Sequence, residues 1–106
     1  MTVDAIGGTL LIVLSGALDA PHCRKFDECL VQAARSSRAV VVDLTAVETM
    51  RARAVESLVA ARSRLGGRLR VIAPRGSAAN AALRRAGVAH TFALHASRPY
   101  ALAATS

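Results

Sequence analysis

Two short blocks, Leu10-Leu11-Ile12-Val13-Leu14 and Val40-Val41-Val42, are apolar without polar alternation. That is the pattern of strands covered on both faces, not of strands with one wet side. Around them the chain predicts a regular alternation of elements. Residues 2 to 6 form a short edge strand, Gly7-Gly8 a hairpin turn, and Thr9 to Ser15 a second strand that Gly16 ends. Asp19 is placed to cap a helix, Pro21 fits its first turn, and Cys23, Phe26, Leu30 and Ala33 recur on one side as far as about Ser36. Ala39 to Val42 is the third strand, and a helix follows from about Arg51 to Leu65, stopped by Gly66-Gly67. Arg68 to Ala73 is the fourth strand, and Ser77 caps a short helix that ends at Gly87. Ala89 to Leu94 is a fifth strand, and Ser97 with Pro99 opens a terminal helix through Ala104. The order ββαβαβαβα, without internal repeat or low-complexity linker, predicts one α/β domain over residues 1 to 106.

Composition narrows the class. At 106 residues the chain fits one core, and 53% apolar with 20% charged residues argues against disorder. Aromatic residues are only 3%, so the core must be aliphatic. The longest apolar run is far short of the roughly 20 residues a membrane span needs, and no charged-then-apolar segment opens the chain. A soluble, cytoplasmic protein is the expectation. The formal charge of +7 invites a nucleic-acid reading. That reading needs clustered cations, whereas the basic residues are scattered from Arg24 to Arg98, and the few aromatics do not interleave with them to stack on bases. A solvated surface or a protein interface accounts for the charge better.

Metal and redox chemistry find little support. Cys23 and Cys29 stand six apart on one predicted helix, so their Cα atoms lie roughly 9 Å apart, too far for a disulfide. Free, buried thiols are expected. Only His22 lies near them as a zinc ligand, while His90 and His95 on one strand would point to opposite faces. Neither a metal nor a cofactor is expected. No phosphate-cradling Gly-rich loop, Ser/His/Asp arrangement or convincing carboxylate pair is present, so catalysis is not expected either.

The Gly16-Ala17-Leu18-Asp19 turn and the Val42-Asp43-Leu44-Thr45-Ala46-Val47 block, taken with the element order, resemble the STAS domain, the family named for sulfate transporters and anti-sigma-factor antagonists. Gly66-Gly67-Arg68-Leu69, Arg84-Arg85-Ala86-Gly87-Val88 and the ending from Ser97 to Ala101-Leu102 extend the resemblance over essentially the whole chain. It implies a mixed, mostly parallel sheet with helices packed beside it, and a role in binding protein partners. It further implies a switch. In bacterial anti-sigma-factor antagonists an acid and a Ser or Thr stand before a Gly at the start of the helix after the Asp-containing strand, and a partner kinase phosphorylates that hydroxyl. A phosphate of about −2 there changes which partner can dock.

This sequence departs from the pattern at that point. Ungapped from Val42 to Val47, the match places Arg51, Ala52 and Arg53 where the acid and hydroxyl belong, with no Gly after them. Aligned instead on Gly66-Gly67, the match shifts by three residues and brings Glu48-Thr49 onto the pair, which makes Thr49 the candidate phosphorylation site. The ungapped reading sets Val55, Leu58, Val59 and Leu65 on one helical face, although Arg62 falls within it. Under that reading Arg51 and Arg53 sit at a helix N-terminus, where cations are unfavourable by roughly 0.3 to 1 kcal/mol, so either an acidic partner compensates them or they are simply solvated. Thr45 and Thr49 fit turn or capping hydrogen bonds as well as modification. Asp43 and Asp19 fit structural roles as well as the partner surface. The expected surface therefore comprises Asp19, Asp43, Thr45, Thr49, Arg51 and Arg53. The expected partner is an anti-sigma factor, a kinase-like regulator or another signalling protein, with a homodimer left open. A ligand-binding or enzymatic domain on a similar fold and a basic nucleic-acid-binding protein are the alternatives.

Overall fold

A computed structural model describes residues 1–18, 20–36, 39–95 and Arg98, with backbone alone for residues 20–22 and 93. Strands β1 (Thr2–Ile6) and β2 (Thr9–Leu18) precede helix α1 (Ala20–Arg35). Then follow β3 (Ala39–Met50), α2 (Ala52–Leu65), β4 (Leu69–Ile72), α3 (Ala78–Arg85) and β5 (Ala93–His95), with single 3-10 turns at Gly66–Arg68 and Ala89–Thr91. The sheet order is β1-β2-β3-β4-β5. Among the described strands only the β1–β2 pair is antiparallel, and Ile6 pairs with Thr9 across Gly7-Gly8, where Gly7 takes φ 61°. A side chain at Gly7 would be strained, which is why a two-residue turn recruits glycine there.

Sequential parallel strands joined by right-handed crossovers put all their helices on one side of the sheet. The main core lies there, built from Ile12, Leu14, Val40, Val42, Leu44 and Val71 of the strands against Phe26, Leu30, Leu58 and Leu83 of the helices. Leu11, Val41 and Ile72 form a smaller buried cluster with Val13 packed against it. Those residues alternate with the main-core positions along their strands, so they belong to the opposite face. Both faces are thus apolar in the middle of the sheet, as the unbroken runs at 10 to 14 and 40 to 42 require.

The helices match the expected pattern closely. Cys23, Phe26, Leu30 and Ala33 are all buried on α1. Ser77 caps α3, its hydroxyl accepting from the Asn80 amide at 3.1 Å. The helix closes on Gly87 at φ 73°, with the Val88 amide donating to the Leu83 carbonyl and the Gly87 amide to Arg84, the paired bonds of a Schellman ending. On α2 the buried residues are Ala54, Val55, Ser57, Leu58, Ala61 and Leu65. Val59, expected on that face, is instead 37% exposed. Arg62, which falls within that face, is partly buried, and its Nε donates to the Thr91 carbonyl at 3.2 Å, in the 3-10 turn before β5.

The strands depart further. Gly16 does not end β2, and β3 runs eight residues beyond Val42. Val13 pairs with Asp43 but Ser15 with Ala46, and Gly16 pairs with Val47 but Ala17 with Thr49. Each shift inserts one extra residue into β3, a bulge that reverses its alternation and bends the strand. Asp43 consequently lies within β3, not at its end, and Thr45 and Thr49 are strand residues. The fifth strand is also shorter than expected, since residues 89–91 coil into the 3-10 turn. His90 is exposed in that turn and His95 ends β5, so the two do not share a strand. The expected terminal helix and Asp19 lie outside the described residues, apart from Arg98.

Candidate functional site

Asp43 illustrates how a strand residue of site-like appearance is used internally. Its side chain is only 7% exposed. One carboxylate oxygen accepts from the Thr45 amide at 3.0 Å, a bond across the first bulge, and the other accepts from Arg98 Nε at 2.7 Å. Burial alone would raise its pKa, but the hydrogen bonds from Thr45 and Arg98 and the Arg98 charge together outweigh it and hold the carboxyl below its ordinary range. The carboxylate therefore stays ionised and engaged, securing the bent half of β3. Thr45 itself is exposed on that half.

Across the same row of the sheet, Val13, Asp43, Ile72 and His95 are consecutive Cα partners. Burial, and then the charge of Arg70, push the His95 pKa down, so the imidazole is neutral at neutral pH. His95 Nε2 and Arg70 Nε are buried and have no hydrogen-bond partner among the described residues. On α1, Cys23 is buried with its Sγ donating to the Leu18 carbonyl at 3.9 Å, whereas Cys29, expected to be buried, is only partly so; that partial burial raises the Cys29 pKa, which makes the thiol less reactive. Among the described residues no cluster of three or more His, Cys, Asp or Glu side chains is placed to hold a metal ion.

At the start of α2, Arg51 is the N-cap residue, with the extended backbone (φ −91°, ψ 171°) that position requires and no side-chain cap bond. The first turn of α2 contains no acid, so its unpaired amides and partial positive charge face outward uncompensated by the helix itself. Arg51 and Arg53 diverge from there. Arg53 turns toward α1, where its guanidinium pairs with Asp27 at 2.9 Å and both groups keep solvent contact. Arg51 instead lines a hollow of about 380 Å³ with Glu48, Thr49 and Met50 at the end of β3 and Ala78, Ala81 and Arg85 on α3. Thr49 and Arg51 are therefore brought together, while Asp43 and Arg53 lie apart from them. Glu48, the acid of the shifted alignment, and Arg85, from the stretch at 84 to 88, join the hollow, although neither belonged to the expected partner surface. Arg85 is 34 positions beyond Arg51, and only the packing of α3 beside β3 makes them neighbours.

Several solved structures share this architecture. An anti-sigma factor antagonist from Mycobacterium paratuberculosis superposes with a TM-score of 0.85 at 23% identity, covering 98% of this chain and 91% of its own. A Thermotoga maritima protein described as a candidate anti-sigma factor antagonist gives 0.82 at 8% identity, with 98% and 92% covered. The antagonist SpoIIAA in its unphosphorylated form gives 0.74 at 13% identity, with 93% and 90% covered. At these identities the likeness shows a shared fold. The sequence has no significant match among curated proteins. Residues 1–96 match the family described as "Mlab, STAS domain", and the chain belongs to that STAS domain family.

Proposed function

We propose that this chain is a non-catalytic, cytoplasmic protein-interaction module that binds an anti-sigma factor or a related kinase-like regulator, without a phosphorylation switch at the start of α2. The observation that carries the reading is Arg51 at the N-cap, followed by Ala52 and Arg53. No hydroxyl stands at any of the three positions, so this turn has nothing to phosphorylate. A permanent guanidinium next to the helix's partial positive end favours an acidic group on the partner. Arg53 contributes less, because Asp27 already engages it. Thr49, exposed beside Arg51, is the hydroxyl lining that hollow through which control would return.

The test combines purified kinase-type anti-sigma factors, ATP and mass spectrometry of the intact protein. The expected result is a complex with an unmodified chain. Stoichiometric phosphate on Thr49 would show a switch displaced by a few residues and overturn the unswitched reading. In the same assay Arg51→Glu should weaken binding about tenfold, the scale of a well-placed interface charge. Unchanged affinity in an Arg51→Glu/Arg53→Glu double variant would refute the acidic-partner assignment.

A further inference from the structure

Beside the hollow at the start of α2 runs an open trough of about 480 Å³, walled by Ala52, Val55, Val59 and Ala60 of α2 and by Ala86 and Val88 after α3. Glu56 is its single charged wall residue. Val59 is the informative member, because it follows the buried Leu58 on α2 yet remains 37% exposed. With Ala52, Val55, Ala60, Ala86 and Val88 it forms one contiguous apolar wall from two elements, and covering such a wall removes apolar surface from water. The trough also has polarity along its length. At the Ala52 and Ala86 end it meets Arg51 and Arg85, their immediate chain neighbours, and neither guanidinium pairs with a carboxylate among the described residues. Together with the partial positive charge of the uncapped α2 N-terminus they outweigh Glu48 and Glu56 by a small margin, which leaves this end the more positive one. The far end, at Val59 and Val88, is apolar.

We infer that this trough is the seat of one amphipathic helix from the protein partner, lying with an apolar stripe against Val55, Val59 and Val88 and an acidic end against Arg51 and Arg85. The inference rests on the partner-binding reading and specifies what the partner presents. An open trough between two helical walls suits a helix read at i, i+3, i+4 and i+7. The walls are small, with Ala at 52, 60 and 86, so the incoming stripe carries the bulk, as Leu or Met would. Charge placed at one end fixes which way the helix lies, since the reversed helix would leave its acids against Val59 and Val88. A second copy of this chain fits less well. Its exposed apolar strand residues, Val3 and Ile6, lie on β1, whose neighbour Asp4 is its only charge and not an acidic cluster.

The experiment uses the whole protein with methyl-labelled valines and two synthetic 18-residue amphipathic helices. One carries a Leu stripe with Glu residues gathered at one end, the other the same stripe with Lys in place of Glu. The expected result is that the acidic helix shifts the Val55, Val59 and Val88 methyl signals, while the Lys helix binds at least about tenfold more weakly. Val59→Asp, a substitution at an exposed site, should abolish the shifts and leave the thermal melt unchanged. Equal binding of both peptides, or no shift with either, would overturn the inference. Shifts of the same methyls on concentrating the protein alone would assign the trough to a second copy and overturn it equally. The purified regulator keeps the two readings apart. If it binds and Val59→Asp does not weaken it, the trough assignment fails while the partner reading stands. If no regulator binds but the acidic peptide does, the trough stands and the choice of partner is wrong.

Discussion

Asp43 carries two opposed demands, and their balance makes it a stability determinant. Its carboxylate is nearly buried, which penalises charge, yet it accepts from a backbone amide and a guanidinium that both favour the charged form. The folded state therefore holds a lower pKa than the unfolded chain. Stability from such a group is fully present above the unfolded carboxylate value of about 4, and fades as pH falls through the depressed folded value. Asp43→Asn should cost about 1 to 3 kcal/mol at pH 7, because it discards the charged acceptor and disturbs the bulge it secures. The cost should shrink in acid, where the native carboxyl is itself protonated. Urea unfolding of both proteins at pH 7 and pH 3 measures this. A deficit that stayed constant across the two pH values would mean that packing, not ionisation, is what Asp43 supplies. Arg98→Gln should cost less than Asp43→Asn, since the Arg98 side chain is half exposed and solvent screens its contribution.

For the elements, the start of α2 is where local stability and the proposed function pull apart. Arg51 already has N-cap backbone geometry, so a side chain able to accept from the first-turn amides needs no rearrangement. Arg51→Asp should stabilise the protein by about 1 kcal/mol through a cap bond and a favourable charge at the helix's positive end. The same change should weaken the acidic partner. Thermal denaturation and binding titration of one variant check both halves, and a variant that bound as tightly as wild type would remove the reason for placing Arg51 at the interface. How much of these elements the sequence revealed follows from the range of the interactions that make them. Helix α1 was legible because four apolar residues in one stripe are a local signal, and Ser77 and Gly87 were legible because caps need particular residues at particular positions. The extension of β3 was not. Two bulges reverse its alternation between Asp43 and Thr49, so no period-two pattern survives in residues 44 to 50. Beside the local bond from the Thr45 amide to Asp43, what holds that stretch is pairing with β2 and the Arg98 bond to Asp43, contacts that sequence spacing does not encode. The site was half legible for the same reason. Thr49 and Arg51 are near in sequence, whereas Arg85 and the trough walls meet them only through the placement of α3.

At the level of the whole molecule, the charge of +7 creates a field that attracts any polyanion, and the question is which attraction survives at cellular ionic strength. The molecule measures 31 by 26 by 22 Å, several times the screening length of about 8 Å in physiological salt. Cations on opposite sides of it then act separately. A nucleic acid must gather many of them at once, and its affinity falls with salt in proportion to the phosphates neutralised. The proposed partner helix needs two, Arg51 and Arg85, backed by apolar contact that salt does not weaken. Binding measured from about 0.05 to 0.3 M salt should accordingly separate the two classes. Duplex DNA should be held at the low end and released by about 0.15 M, with a steep logarithmic slope. The acidic helix should lose no more than about tenfold over the whole range, with a slope near −2 or shallower. DNA retained with micromolar affinity at the high end would mean that the cations converge on one nucleic-acid surface. It would then be the arginines at the start of α2, and not the trough beside them, that had been assigned to the wrong partner.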